Sequence, residues 1–171
     1  MNARSTAAER NGNSESLSEE LSQLEMSLTV LWNSAKRWLS KRSSVNGLSD
    51  LDVFLMHLLA YRNTALRASD LAFALAIDDM HLVSYSLKKL AKMGLISSAK
   101  SGKEVLYRAE RGAIQHRNAF LDDRARYVEP AIKDLIASGT DIRALTAALR
   151  VLSGVYEQAA RAAAYEKGDV D

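Results

Sequence analysis

Polar, aromatic and basic side chains recur at helical spacing near the middle of this 171-residue sequence. His81, Ser84, Tyr85, Lys88 and Lys92 occupy positions i, i+3, i+4, i+7 and i+11, which lie on one face of a helix. Imidazole, hydroxyl and phenol groups can hydrogen-bond to base edges, and lysine ammonium groups pair with phosphates. The pattern is typical of a helix that reads duplex DNA, and for this helix alone an ordinary solvated helix face would produce it equally well.

The opposite side of this helix is apolar and predicts contact with a core through Met80, Val83, Leu87 and Leu90. A recognition helix is therefore predicted over about residues 79–93, with Gly94 ending it because glycine adopts a left-handed conformation without steric cost. A shorter helix is predicted before it, with Ser69 as its N-cap. Asp78 and Asp79 lie between the two helices. If they cap the second helix, their oxygens turn inward; if they do not, their charges oppose the binding of DNA phosphates.

Two short runs with strand propensity follow, at residues 95–100 and 103–108. Gly102 lies between them and supplies the positive φ that a tight hairpin turn needs. The order helix, turn, helix and hairpin predicts a winged helix-turn-helix with a wing over about residues 95–108. The basic residues of this wing are Lys100, Lys103 and Arg108.

The stretch from Ser69 to Ile96 resembles the MarR family of bacterial transcriptional regulators. The resemblance is carried by Ser69-Asp70-Leu71-Ala72, by the spacing into Val83-Ser84, and by the run from Leu87 to Ile96. Within the family, the chain resembles the LdtR-like subgroup, which is linked to cell-wall remodelling genes. Family wings usually carry an Asp-Arg-Arg-type tip, whereas this tip is Lys100-Ser101-Gly102-Lys103, so lysine contacts to phosphate are expected in place of arginine insertion into the minor groove.

The resemblance also implies a pocket for a small aromatic or phenolic ligand between the DNA-binding unit and the dimer helices. The residues best placed for such a pocket are Trp32, Asn33, Leu51, Phe54 and Leu58. Plain core packing would equally account for apolar residues at these positions. A ligand would act by shifting the population of dimers whose recognition helices have the correct spacing.

Two apolar seams with alternating spacings of three and four residues lie near opposite ends of the chain. A single protomer has little use for both, whereas a second copy would bury both at once. We therefore expect a homodimer with a largely apolar helical interface; the alternative is a C-terminal seam folded back on the first helix of its own chain. The predicted interface residues are Leu17, Leu21, Leu24, Leu28, Ile142, Leu145, Leu149, Leu152 and Tyr156.

A two-fold axis would place two recognition helices in successive major grooves, about 34 Å apart, and predicts a pseudo-palindromic operator. Residues near the helix start are expected to contact base edges, and the lysines and arginine to contact phosphate. The predicted base-edge residues are His81, Ser84 and Tyr85, and the predicted phosphate contacts are Lys88, Lys100, Lys103 and Arg108.

The distribution of charge agrees with a polyanion partner. Residues 62–108 hold eight Lys/Arg against four Asp/Glu, a net of +4, whereas residues 1–61 (six against seven) and 109–171 (nine against ten) are each at −1. With 47% hydrophobic and 26% charged residues, the composition is that of a globular protein. The N-terminal residues lack the apolar core of a signal peptide, and no run is apolar enough for a membrane span. A cytoplasmic, nucleoid-associated protein is expected.

Catalysis is not predicted, because His57, His81 and His116 are far apart in sequence and no glycine-rich phosphate loop precedes a helix. The chain has no cysteine, and its acidic residues lack metal-ligand spacing, so neither a metal nor a cofactor is expected. A competing hypothesis is a winged-helix module that docks protein instead of DNA, with Tyr85 and His81 as its anchor.

The sequence thus predicts a mainly α fold with a small β-hairpin wing. A disordered tail over 1–16 precedes an N-terminal dimerisation helix over 17–44. The winged helix-turn-helix follows over 45–110, then C-terminal dimerisation helices over 111–165 and a tail over 166–171.

Overall fold

The computed structural model describes residues 3–43 and 47–168 of the chain. The described residues are mostly helical with one small antiparallel sheet, which confirms the predicted fold class. They form two compact units, one ending at Asn118 and one beginning at Ala119. None of the described helices combines the length and apolarity that a membrane crossing requires. The elements are α1 (Ala3–Ser43), α2 (Asp50–Arg62), β1 (Leu66–Arg67), α3 (Ala68–Ala74), α4 (Met80–Lys92), β2 (Ile96–Ser101), β3 (Glu104–Ala109), α5 (Arg111–Tyr127), α6 (Glu129–Ala137) and α7 (Ile142–Gly168).

The first and last helices extend further than the sequence pattern indicated. The prediction of a disordered tail over 1–16 is wrong for residues 3–16, which form the first part of helix α1. Residues 1 and 2 lie outside the described range. This stretch contains no proline, and most of its residues are compatible with a helix. Residues 166–168 likewise continue α7, although they were predicted as tail. The predicted boundary at residues 44 and 45 lies outside the described residues.

The core of the first unit is formed mainly by side chains of α2, α3 and α4. Residues at helical spacing on each helix are fully buried, because each helix presents one apolar face to the other two. One residue of the predicted apolar stripe differs: Met80 is 40% exposed, since it is the first residue of α4 and lies at the end of that stripe. The fully buried residues of this core are Val53, Leu55, Met56, Leu59, Leu71, Val83, Leu87 and Leu90.

The start of α2 is a capping box. The Ser49 N–H donates to Asp52 Oδ2 at 2.7 Å, and the Asp52 N–H donates to Ser49 Oγ at 3.2 Å. These two bonds satisfy backbone donors that have no partner within the helix. The helix ends at Asn63, which adopts a left-handed conformation with φ +50° and donates its N–H to the carbonyl of Leu59. The bounds of α2 are therefore set by local hydrogen bonds.

The start of α3 corrects the prediction that Ser69 caps it. The helix begins at Ala68, so Ser69 is already inside its first turn. Asp70 instead accepts the Arg67 N–H at 3.2 Å and holds the Arg67 guanidinium through Nε at 3.0 Å and Nη2 at 2.8 Å. Arg67 Nη1 also donates to Glu104 Oε1 at 2.9 Å, which connects the start of α3 to the wing. These bonds lower the pKa of Asp70 and raise that of Arg67.

A short turn joins α3 to α4. The Ile77 N–H donates to the carbonyl of Ala72 at 2.9 Å, and the Ala76 N–H donates to the carbonyl of Phe73 at 3.2 Å. Ala76 has φ +50°, a left-handed conformation that side-chain-bearing residues rarely adopt. Asp79 then caps α4, because its Oδ1 accepts the N–H groups of His81 at 2.8 Å and Leu82 at 3.1 Å. The Asp79 oxygen therefore turns inward, toward the helix start.

The wing is a three-stranded antiparallel sheet in the order β1, β3, β2. Ser101 pairs with Glu104 and closes a two-residue turn, in which Gly102 has φ +63°. The strands are therefore displaced by one residue from the predicted runs, and Lys103 lies in the turn. The third strand, β1, pairs Leu66 with Tyr107 and was not predicted, since two residues carry no readable alternation.

The second unit contains the end of α5, together with α6 and α7. Pro130 lies in the first turn of α6, where the missing N–H removes no helical hydrogen bond. Asp141 caps α7 by accepting the N–H groups of Arg143 at 2.8 Å and Ala144 at 3.0 Å. Residues in or next to the first turn thus determine where α6 and α7 begin.

Candidate nucleic-acid interface and ligand cleft

The recognition helix α4 has one buried and one exposed side. Val83, Leu87 and Leu90 are fully buried, and they hold the helix against the core. On the other side Tyr85 is 70% exposed, His81 and Lys88 are exposed, and Ser84 is half-buried. The helix therefore presents hydrogen-bonding, aromatic and cationic groups to solvent on a rigid support, as base and phosphate contacts require.

The wing presents its predicted cations to solvent. Lys100 is in β2, Lys103 is in the turn and Arg108 is in β3, and all three are exposed. Among the described residues, these three wing cations and Lys88 form no ion pair. Their charges are therefore available to a polyanion, and they follow α4 directly along the chain.

Lys89 differs from its neighbour Lys88, and its role was missed by the sequence analysis. Its Nζ lies 2.6 Å from Asp52 Oδ2 and donates to the carbonyl of Gly47 at 2.8 Å. Asp52 is only 1% exposed. Burial alone raises the pKa of this carboxyl, but hydrogen bonds from Lys89, Ser49 and Ser86 outweigh it and leave the pKa below its ordinary value. Asp52 is therefore an ionised, buried partner of the recognition helix.

A mostly apolar cleft of about 540 Å³ lies in the first unit between α1, α2 and the end of α3. Trp32 and Phe54 form one wall with their rings stacked at 5.7 Å between centroids and 15° between planes. At the rim, Lys36 Nζ lies 3.7 Å from Asp50 Oδ2 and 5.9 Å from the centre of the Trp32 ring. The cleft can therefore enclose a flat apolar group next to a cationic amine. Its lining residues are Trp32, Lys36, Asp50, Leu51, Phe54, Ala74, Leu75, Ala76 and Ile77.

The structure brings together three of the five residues predicted for a ligand pocket, namely Trp32, Leu51 and Phe54. Asn33 and Leu58 are not in the lining; Asn33 follows Trp32 by one residue and is turned away to solvent, and Leu58 lies one turn further along α2. Lys36 was not among the predicted residues, although its position four residues after Trp32 places it on the same helix face.

Two histidines that are far apart in sequence meet between α2 and α5. His57 Nε2 lies 3.1 Å from His116 Nδ1, and the ring planes are tilted by 56°. Burial lowers the pKa of His57 to about 4, with further lowering by repulsion from a protonated His116 and from Arg117, and burial also lowers the pKa of His116. Both rings are therefore neutral near pH 7. No group of three metal-ligating side chains occurs among the described residues.

This pair makes stability depend on pH. The unfolded chain takes up a proton near the ordinary pKa of 6.5, whereas folded His57 does so only near 4. The free energy of unfolding should therefore be constant above pH 7 and fall as the pH drops below 6.5, by about 1 kcal/mol between pH 7.5 and 5.5 for a partly exposed ring. Urea unfolding at both values measures this. His57→Gln should reduce the difference, whereas His81→Gln, an exposed control, should retain it.

The comparisons with known proteins agree with this geometry. Residues 48–111 match a family model described as a winged helix DNA-binding domain. No curated protein sequence matches the chain. Among solved structures, a MarR family regulator from Neisseria meningitidis is 18% identical, with 83% of this chain and 96% of that chain covered and a TM-score of 0.65.

Two further structures with the same fold carry bound partners. S. aureus MepR in complex with DNA is 13% identical, with 77% of this chain and 94% of that chain covered and a TM-score of 0.55. CouR from Rhodococcus jostii bound to p-coumaroyl-CoA is 15% identical, with 75% and 87% covered and a TM-score of 0.56. At these identities the likeness concerns the fold. The chain thus contains a winged helix domain and has the fold of MarR family regulators.

Proposed function

We propose that this protein is a dimeric transcriptional regulator of the MarR family that binds pseudo-palindromic operators through α4 and the wing. The observation that carries the proposal is α4 itself, whose inner face is fully buried while Tyr85 and the adjacent polar groups face solvent. The domain matched over residues 48–111 is a DNA-binding one, and the fold relative MepR was solved with DNA. Regulation of cell-wall remodelling genes, as in the LdtR-like subgroup, is the finer form of the proposal.

The residues divide into two roles. His81, Ser84 and Tyr85 lie in the first half of α4 and would contact base edges in the major groove. Lys88 and the wing cations would pair with phosphates and fix the position of the helix without reading sequence. Asp79 does not oppose this arrangement strongly, because its carboxylate is hydrogen-bonded to the start of α4.

A second copy of the chain would complete the arrangement. Within the protomer, Leu17 and Leu21 of α1 and Leu145 and Tyr156 of α7 are exposed. Apolar faces of this length are usually covered in a stable protein, and a two-fold partner covers both chain ends at once. The two copies of α4 would then be spaced by about 34 Å, one turn of the duplex.

The proposal is tested by selecting duplexes from a randomised pool with the full-length protein. We expect the selected duplexes to contain inverted repeats and the binding constant to fall steeply with salt, because lysine–phosphate contacts release counterions. If the protein is instead a winged-helix module that binds another protein, no duplex should bind to it even at low ionic strength. This result would overturn the proposal.

Lysine and tyrosine variants should separate the two roles. Replacing Lys100 and Lys103 with methionine should weaken binding to all duplexes alike and flatten the salt dependence by about 0.9 log units per lost contact. Tyr85→Ala should instead change the preference among duplexes by about 1–3 kcal/mol at the contacted base pair. Competition between selected and scrambled duplexes measures both. The reverse pattern would contradict the assigned roles.

The cleft would hold a small aromatic or phenolic effector. Stacked Trp32 and Phe54 supply a flat apolar wall. Lys36, whose Nζ lies 3.7 Å from Asp50 Oδ2 at the rim, would exchange this partner for an acidic or phenolate group of the ligand. The fold relative CouR was solved with a coumaroyl thioester. A thermal shift panel of phenols and aromatic acids should yield compounds that stabilise the wild type and release its duplex. Phe54→Ala should abolish that stabilisation, whereas Phe73→Ala, a 90% exposed control, should not.

A further inference from the structure

We propose that the Asp52–Lys89 pair is a positioning contact that sets the orientation of the recognition helix. Lys89 would then act on DNA through the placement of α4, and not by touching phosphate as Lys88 does. The inference rests on the proposed DNA-binding function and concerns residues that this function does not otherwise use.

One carboxylate oxygen joins two elements. Asp52 Oδ2 accepts hydrogen bonds from the Ser49 N–H at 2.7 Å and from the Lys89 ammonium at 2.6 Å. The same oxygen therefore takes part in the cap of α2 and binds a side chain of α4. The Lys89 ammonium also donates to the carbonyl of Gly47 at 2.8 Å, in the loop just before the cap. The recognition helix is thereby tied to the start of α2 at two points that are 37 and 42 residues away in sequence.

The apolar contacts and the ion pair restrict α4 in different ways. Val83, Leu87 and Leu90 pack the helix closely against the core, but the free energy of apolar burial depends on area and not on the direction of a bond. The polar contacts add a constraint on position, because Lys89 Nζ must stay within hydrogen-bond distance of both Asp52 Oδ2 and the Gly47 carbonyl. A base-edge hydrogen bond from Tyr85 or Ser84 is sensitive to small displacements of the helix, since hydrogen bonds weaken steeply with misalignment.

Breaking this pair destabilises the fold because Asp52 is buried. Removing only the lysine leaves an ionised carboxylate buried without its cation, which is strongly unfavourable. The helix therefore has a strong preference for the one orientation in which Lys89 reaches both Asp52 and Gly47. We infer that this orientation is the one that inserts the exposed face of α4 into the groove.

The test compares four variants of the full chain on a duplex selected by the wild type: Lys89→Met, Asp52→Asn, the two combined, and Lys88→Met as the control. Lys89→Met and Asp52→Asn should each weaken binding about tenfold, as expected for one impaired base contact, and leave the salt slope unchanged. The combined variant should be no weaker than either single one, because both act through one contact. Lys88→Met should flatten the slope by about 0.9 per lost phosphate contact.

Urea unfolding of each variant establishes that the protein is folded at the temperature of the binding assay. If Lys89→Met does not fold, the combined variant carries the test, since it contains neither buried charge. A flattened slope for Lys89→Met would overturn the proposal by making Lys89 a phosphate contact. Unchanged affinity in folded variants would also overturn it, by leaving the pair a purely structural role. Failure of the wild type to bind any duplex would instead refute the proposed function.

Discussion

Replacing Leu149 with glutamate is expected to dissociate the dimer and to weaken operator binding by about a hundredfold or more. Leu149 lies in the α7 seam between Leu145 and Leu152, and a two-fold axis would bring two copies of the new carboxylate into one apolar interface. Burying an unpaired charge costs several kcal/mol. A monomer contacts one half-site, and the loss of linked binding to the second half-site lowers affinity by about 10²–10⁴.

Light scattering on a size-exclusion column measures the mass of the particle, and a duplex titration measures affinity. Ala147→Glu provides the matched control, because it adds the same charge to the same helix at an exposed position away from the seam. The control should remain dimeric and bind as the wild type does. A Leu149→Glu protein that keeps the dimer mass would place the α7 seam inside the protomer.

Replacing Leu87 with alanine is expected to lower the free energy of unfolding by about 2–5 kcal/mol. Leu87 is fully buried on the inner face of α4, and the smaller side chain leaves a cavity between the recognition helix and the core. Leu82→Ala makes the same chemical change on the same helix at a 54% exposed position and should cost well under half as much. Urea unfolding of the full chain compares the two, and equal losses would contradict the assigned burial.

The buried and exposed sides of α4 were predictable because a helix has 3.6 residues per turn, so apolar residues at that spacing identify the face that is buried. The wing was displaced by one residue because Gly102 can occupy either central position of a tight turn, and spacing alone does not choose between them. The prediction that Ser69 caps α3 was wrong because the hydrogen bond at the start of α3 runs from the Arg67 N–H to Asp70. Nothing in the local sequence ranks these alternatives.

The polar contacts that matter most for the site are long-range. Asp52 and Lys89 are 37 residues apart, and His57 and His116 are 59 apart, so no motif or periodicity connects them. Lys88 and Lys89 are adjacent and chemically identical, yet one faces solvent and the other reaches Gly47 and Asp52. Only the packing of α4 on α2 separates their roles. The cleft was partly predicted, since Trp32, Leu51 and Phe54 are among the residues expected to line a ligand pocket.

Ala76 shows what the chain tolerates in the link between α3 and α4. A left-handed conformation destabilises an alanine by about 1–2 kcal/mol, a penalty that glycine escapes. Ala76 is also one of the residues that line the cleft. The joint between the two helices and the cavity beside it therefore share one residue. A substitution at this position therefore acts on the lining of the cleft and on the backbone strain of the link at the same time.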